Sequence, residues 1–132
     1  MNRYNRNIDK IKALDLYTQA LDMYHNQSFR GAIELLQKSI DLNPDFPQAH
    51  EFLGRCFFES GQKDLTRQSA NDILARAFNP ADSATYAVRG YAYHVLNKET
   101  KAVKEYSMGI QLNPKDAILY RTRSNSLSKL RR

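Results

Sequence analysis

The feature that most constrains this 132-residue chain is a segment that recurs along it. Residues 28–44, SFRGAIELLQKSIDLNP, return 70 residues later in the stretch that ends at Pro114. The matched pairs are Ala32 with Ala102, Ile33 with Val103, Leu36 with Tyr106, Ser39 with Gly109, Ile40 with Ile110, Leu42 with Leu112, and Asn43-Pro44 with Asn113-Pro114. A third Asn-Pro lies between them at Pro80, so the prolines are 36 and 34 residues apart. Such spacings are typical of stacked helical repeats.

A second pattern follows each of these prolines, in which large residues flank a small one. It is carried by His50, Leu53-Gly54 and Phe57, by Tyr86, Arg89-Gly90 and Tyr93, and by Tyr120, Arg123-Ser124 and Leu127. A small residue lets a partner helix approach, and large residues one turn away fill the space around that contact. The pattern therefore predicts pairs of packed helices.

In these residues the chain resembles the tetratricopeptide repeat (TPR) family. The family positions of the first and third repeats are occupied by Leu16, Gln19-Ala20, Met23, Ala32, Leu36 and Pro44, and by Tyr86, Arg89-Gly90, Tyr93, Ala102, Tyr106 and Pro114. The chain has no tryptophan, and Gln19 and Arg89 stand where the family has leucine. The resemblance implies an all-α fold, a right-handed α-solenoid of three helix hairpins followed by a C-terminal capping helix.

The length favours one domain over residues 1–132. We expect repeats at about 13–46, 47–82 and 83–116, and a capping helix at about 116–130. The first helix should begin near Asn7, because apolar side chains then follow at helical spacing: Ile8, Ile11, Leu14, Tyr17, Leu21 and Tyr24. The second helix of repeat two should run from about Gln62 to Phe78. Since that repeat is two residues longer, either this helix runs on or its exit loop bulges.

Several residues are typical of helix ends. Ser28 and Asp45 are expected N-caps, with Pro47 tolerated in the first turn. Gly61 can take the left-handed conformation that ends a helix. The third hairpin should be capped by Asp82 or Ser83, and Asn97 should separate its helices. The last helix has a polar face suited to covering the end of a stack: Arg121, Ser124, Asn125 and Ser128. The alternative is that the chain is part of a longer array of repeats.

Composition narrows the class of protein. The single cysteine, Cys56, excludes an intramolecular disulfide and favours a reducing compartment, which we take to be the cytoplasm. Neither a membrane-spanning segment nor a signal peptide is predicted. The net charge of +6 is concentrated at the C-terminal end, since the first 114 residues carry only +1. The six basic residues beyond them are Lys115, Arg121, Arg123, Lys129, Arg131 and Arg132, against Asp116 alone.

No arrangement of residues indicates catalysis. Carboxylate pairs, serine–histidine sets and glycine-rich phosphate loops are absent at the spacings those chemistries need. His50 is assigned to packing, and His25 and His94 lie on first helices two repeats apart, too distant to share a metal ion. We therefore expect a protein without catalytic residues, metal or cofactor.

The candidate functional feature is therefore a binding surface. The TPR resemblance implies a concave groove lined by the first helix of each repeat. Carried over residue by residue, the expected partner-binding positions are Tyr17, Leu21, Tyr24, Glu51, Arg55, Phe58, Tyr91, His94, Arg121 and Asn125. Aromatic rings suit a peptide-binding groove, because they bury much area and lose few rotamers. The alternative is that some of these rings complete the core.

One type of TPR partner is not expected. Co-chaperone members of the family hold the C-terminal carboxylate of heat-shock proteins with lysine, arginine and asparagine side chains. The corresponding positions here are Tyr17, Leu21, Phe52, Ala84 and Val88. Because none is a cation, the resemblance does not extend to that carboxylate clamp.

Three functions compete. The favoured one is a protein-interaction scaffold that holds a peptide or helix of a partner in its groove. The second is binding of nucleic acid or an acidic partner through the C-terminal basic patch, which the nearly neutral repeat body does not favour for nucleic acid. The third is a structural role in which the ends of the stack pair to form a homo-oligomer.

Overall fold

The computed structural model describes residues 3–132, and all regular structure in that range is helical. Seven helices follow one another: α1 (Arg3–His25), α2 (Phe29–Leu42), α3 (Pro47–Glu59), α4 (Lys63–Ala75), α5 (Ser83–Val95), α6 (Glu99–Leu112) and α7 (Ala117–Leu130). The predicted all-α fold is thereby confirmed. The chain divides within α4 into two compact units, one up to Thr66 and one from Arg67 onward.

In the first unit, α1 packs against α2 and α3, and α2 packs against α3. Its core contains mainly small side chains and one large one: Ala20, Ala32, Leu36, Ala49 and Cys56. The hydroxyl of buried Ser39 donates a 2.7 Å hydrogen bond to the carbonyl oxygen of Ala13, which ties α2 to α1. His50 is buried as predicted, and its Nε2 lies 2.9 Å from the carbonyl oxygen of Pro44.

The structure corrects the start and the buried face of α1. The helix already includes Arg3, so the predicted start near Asn7 is wrong. Ile11 and Leu14 were expected to be part of an apolar face, but both are exposed. The helix buries Ala13 and Ala20 instead, because small side chains let α2 approach closely.

The expected caps are partly wrong. Phe46, not Asp45, is the N-cap of α3, because the ring of Pro47 forces the residue before it out of helical geometry. Pro47 itself occupies the first turn as predicted. Ser28 holds the N-cap position of α2, but its side chain makes no capping hydrogen bond. Asp82 does cap α5, since its carboxylate accepts a 3.0 Å bond from the amide of Ala84.

The three turns that join α1 to α2, α3 to α4 and α5 to α6 share one geometry. Each has a single residue with positive φ: Gln27 at 64°, Gly61 at 77° and Asn97 at 60°. In each turn the next residue's amide donates to the carbonyl five positions back, as Ser28 does to Met23 at 2.8 Å. This is the Schellman pattern that ends many helices.

In the second unit, α5 packs against α6 and α6 packs against α7. The ring of Tyr106 on α6 lies against buried Gly90 on α5, as the small-residue pattern predicts. Tyr106 shares its core with Ala102 and Leu119, so that a residue of α7 completes the packing of the preceding hairpin.

The longer spacing in repeat two resides in a loop. Helix α4 ends at Ala75, so it does not reach Phe78 as predicted, and of the two expected explanations for the longer repeat the longer exit loop is confirmed. The connection from α4 to α5 covers residues 76–82, whereas those after α2 and α6 cover only 43–46 and 113–116. Phe78 lies in this loop and is buried among Ala70, Ile73, Val88 and Ala92. The additional residues therefore carry a core side chain.

Candidate functional site

The first unit contains a cluster of five aromatic rings. They belong to Tyr17 and Tyr24 on α1, Phe29 at the start of α2, Phe46 just before α3, and Phe52 on α3. The ring centroid of Tyr17 lies 4.9 Å from that of Phe46 and 6.0 Å from that of Phe52. Tyr24 lies 5.3 Å from Phe52 and 5.6 Å from Phe29, nearly edge to face in the first case. All five rings are half-buried. They contribute to the core and keep part of their surface open.

An ion pair borders this cluster on α3. The Nε of Arg55 donates a 2.9 Å hydrogen bond to Oε2 of Glu51, one helical turn earlier. The guanidinium carbon of Arg55 also lies 5.9 Å from the ring centroid of Phe52. This ion pair balances the charges of the two residues.

The pKa values of Tyr17 and Tyr24 are both raised by burial and affected by charged side chains of α3. Burial raises the pKa of Tyr17, and the negative charge of Glu51 adds to that rise. Burial likewise raises the pKa of Tyr24, with a contribution from Glu59 that Arg55 partly opposes. Both side chains therefore remain neutral phenols at physiological pH and can donate hydrogen bonds to a ligand.

Phe58 adds an unusual feature to α3, because its ring is 66% exposed. It lies seven residues after Glu51 and three after Arg55, so all three share one side of the helix. We call Tyr17, Tyr24, Phe52, Arg55 and Phe58 the aromatic face of the first unit. Leu21, also predicted to bind a partner, is half-buried on α1.

The predicted site residues of the second unit are placed differently. Tyr91 is only 7% exposed, so little of its ring can meet a ligand. His94 is engaged within the unit, with Nδ1 3.0 Å from Oε1 of Glu99. Arg121 and Asn125 on α7 are exposed. Of these four, Tyr91 is closed to a ligand, His94 keeps 38% of its side chain exposed beside Glu99, and the two residues of α7 are open.

Glu99 is a residue that the sequence interpretation missed. It stands at the start of α6 with only 7% exposure, and its carboxylate is paired with His94 of α5 and, at 3.0 Å, with Nζ of Lys129 of α7. Burial raises the pKa of Glu99, but the neighbouring polar and charged side chains of His94, Ser126 and Lys129 outweigh that effect and lower it. The only signal in the sequence was an acid in a helix's first turn, which is usually an exposed residue that favours the helix dipole.

The described part of the chain also bears on metal binding, membrane insertion and thiol chemistry. Within residues 3–132, no three histidine, cysteine or acidic side chains are grouped so that they could hold a metal ion. No helix in that range combines the length and apolar character needed to cross a membrane. Cys56 is buried, and burial raises the pKa of its thiol to about 11.

Comparison with known proteins places this geometry in context. No family model matches the chain. Tetratricopeptide repeat protein 6 of Homo sapiens is 28% identical over 108 residues, which cover 80% of this chain and 21% of that protein. The small glutamine-rich tetratricopeptide repeat-containing protein 2 of Mycosarcoma maydis is 26% identical over 111 residues, 84% of this chain and 31% of that protein. The chain thus spans between a fifth and a third of these two relatives.

Among solved structures, the first TPR of Spaghetti (RPAP3), bound to the HSP90 peptide SRMEEVD, superposes with a TM-score of 0.66. The match covers 93% of this chain and 96% of that one at 23% sequence identity. The fold is therefore that of a TPR solenoid. Together with the two relatives, it confirms the resemblance to the tetratricopeptide repeat family that the repeated segment predicted.

Proposed function

We propose that this chain is a non-catalytic scaffold that binds a peptide or helix of a partner protein through the aromatic face of the first unit. The observation that carries the proposal is the half-buried ring cluster of the first unit, together with exposed Phe58, which lies three residues after Arg55 on α3. Rings held in place by their neighbours lose little freedom on binding, which favours affinity. A TPR domain of similar fold binds a peptide, which supports the same use here.

The partner should differ from the peptide of that neighbour. Its sequence, SRMEEVD, is acidic and ends in a carboxylate. The positions that would meet such a carboxylate here are rings and aliphatic side chains, among them Tyr17 and Phe52, and Arg55 is already paired with Glu51. We propose that binding depends on apolar and aromatic contacts, with a minor contribution from charge.

The remaining predicted residues enter the proposal with different roles. Glu51 and Leu21 border the rings of the first unit, and Arg121 and Asn125 are open side chains on α7. Tyr91 and His94 also belong to the second unit, where one is buried and the other is paired with Glu99, and the proposal assigns them no contact with the peptide.

The test is a selection of displayed random peptides on the intact chain, followed by binding measurements with the enriched peptides made synthetically. Phe58→Ala and Tyr17→Ala should weaken binding by about tenfold, since aromatic residues dominate such interfaces. Met108→Ala removes an exposed apolar side chain from α6 and serves as the matched control. Affinity should change only a few-fold between roughly 50 and 300 mM salt, because few charges are engaged.

Three results would contradict the proposal. The selection could enrich no peptide, the enriched peptides could bind the Phe58→Ala and Tyr17→Ala variants as well as the wild type, or SRMEEVD could bind as tightly as they do. A steep salt dependence that disappears when Arg131 and Arg132 are deleted would instead favour the C-terminal basic patch.

A further inference from the structure

The outward face of α7 repeats a surface that is covered elsewhere in the second unit. Tyr120, Ser124 and Leu127 stand 34 residues after Tyr86, Gly90 and Tyr93 of α5. On α5 this surface receives α6: the ring of Tyr106 lies against Gly90, and Tyr93 packs on the core that contains Ala102 and Tyr106. The pattern of large and small residues that accepts a second helix is thus present twice.

On α7 the same positions are open. Tyr120 is 40% exposed, Ser124 is exposed and Leu127 is half-buried, whereas Gly90 is buried. The opposite side of α7 is occupied, since Leu119 and Ser126 are buried. One side of α7 therefore packs within the unit. The side that corresponds to the α6-binding surface of α5 faces solvent.

Charge indicates what this open side can accept. On α5, Arg89 points to α6 and pairs with Glu105, with Nε 3.4 Å from Oε1. Its counterpart on α7 is Arg123, which makes a 3.3 Å hydrogen bond to the hydroxyl of Ser107 and lies 5.5 Å from the ring centroid of Tyr120. No acidic residue follows Asp116, while Arg121 in the N-terminal half of α7 and Arg131 at its C-terminal end are exposed.

We propose that the outward face of α7 binds an acidic helix of a partner protein. The helix should carry the signature of α6: a small residue, a glutamate three positions later and a large apolar residue directly after it, as in Ala102, Glu105 and Tyr106. The large residue lies over Ser124, and the glutamate pairs with Arg123. Further acidic residues on that helix meet Arg121 and Arg131.

This surface lies on a different helix from the aromatic face and would take a different ligand, so the inference does not depend on the proposed function. A nucleic acid would use the same basic residues, but it has no need for a small residue flanked by two large ones. That combination is what an approaching helix requires, and it favours a protein helix as the occupant.

The experiment uses a fluorescent probe peptide with the sequence of residues 98–113, in which the three lysines are replaced by glutamate. A hydrocarbon staple on the far side keeps the peptide helical, because an isolated helix of about this length is only marginally stable. Its binding to the intact chain is followed by fluorescence anisotropy. A matched probe with lysine in place of the residue equivalent to Glu105, and serine in place of that equivalent to Tyr106, should not bind.

Variants of the chain locate the contact. Arg123→Glu should weaken binding of the probe by about tenfold, because two like charges then face each other. A probe with arginine at the position of Glu105 should recover that loss on the Arg123→Glu variant only. Ser124→Arg should prevent binding by occupying the place of the large side chain. Lys115→Glu makes the same charge change outside α7, and Phe58→Ala alters the aromatic face; neither should affect the probe.

Circular dichroism of each variant shows that the fold is retained. The proposal is overturned if the stapled probe does not bind, or if Arg123→Glu and Ser124→Arg bind it like the wild type. It is also overturned if a duplex oligonucleotide competes for the face more effectively than the probe, or if the face is occupied by a second copy of the chain at micromolar concentration.

Discussion

The ring of Tyr106 lies so close to Gly90 that no side chain could be accommodated at residue 90 without displacing it. A Cβ on Gly90 would lie 2.6 Å from Cδ1 and 2.8 Å from Cζ of the tyrosine. The ring is buried and cannot turn away. The contact explains why the third hairpin has glycine where the first has Ala20, since the first has the smaller Leu36 in place of Tyr106.

Gly90→Leu should therefore destabilise the chain by about 1–3 kcal/mol through overpacking. Urea unfolding followed by circular dichroism measures the change. Gly31→Ala is the matched control, because the atom it meets is the flexible end of Met23. In a Gly90→Ala background, Tyr106→Leu should recover part of the lost stability by reproducing the pair of the first hairpin. An unchanged midpoint for Gly90→Leu would refute the assigned packing.

The buried carboxylate of Glu99 predicts a dependence of stability on pH. Its pKa is lowered in the folded state from the ordinary value of 4.5, so it stabilises the fold above that value. This contribution is lost as the pH falls through the lowered pKa. Glu99→Gln should cost about 1–2 kcal/mol at pH 7, since its partners lose a charged acceptor.

The difference between wild type and Glu99→Gln should shrink as the pH falls below 4.5 and through the lowered pKa of the carboxyl, where Glu99 becomes protonated. Glu34→Gln is the control, because it removes the charge of an exposed carboxylate on α2 instead of a buried one. A constant difference over this range would show that the paired carboxylate is not its source.

Cys56 should react slowly in the folded protein. At pH 8 a thiol with a pKa of about 11 is ionised to roughly one part in a thousand, compared with about a quarter in an unfolded chain. Because the thiolate is the reactive form, labelling by a disulfide reagent should be about a hundredfold slower in buffer than in concentrated urea. Similar rates in the two solvents would mean that the core of the first unit opens readily.

The loop at residues 76–82 should be sensitive at Phe78. Phe78→Ala removes a buried ring from the cluster formed with Ile73, Val88 and Ala92, and should cost about 3 kcal/mol. Phe58→Ala removes the same side chain from an exposed position and should leave the unfolding midpoint nearly unchanged. Equal effects of the two substitutions would contradict the packing role of the longer loop.

The sequence predicted the fold well because its strongest signals are local. The Asn-Pro pairs stop α2 and α6 at Leu42 and Leu112, and Pro47 fixes the start of α3. The small residue at position 90 marked a helix contact that the structure confirms. Each of these signals acts through the backbone within a few residues, so neighbouring sequence suffices to recognise it.

The features that were missed depend on distant contacts. Nothing near Glu99 reveals that His94 and Lys129 of two other helices enclose it. Ile11 and Leu14 have the spacing of a buried face, yet the close approach of α2 selects the alanines beside them. For the same reason Tyr91 could not be recognised as buried from its position on α5.

The common geometry of the three helix-joining turns has a further consequence. Glycine adopts a positive φ without strain, whereas Gln27 adopts the same conformation with a Cβ that disfavours it. Since three chemically different residues take one shape, the shape is imposed by the helices on either side. The backbone of Gln27 is therefore strained, and the packing of the two helices it joins compensates for that strain. Replacing Gln27 by glycine should relieve this strain and stabilise the first hairpin, and residue 27 is not part of either surface proposed to bind a partner.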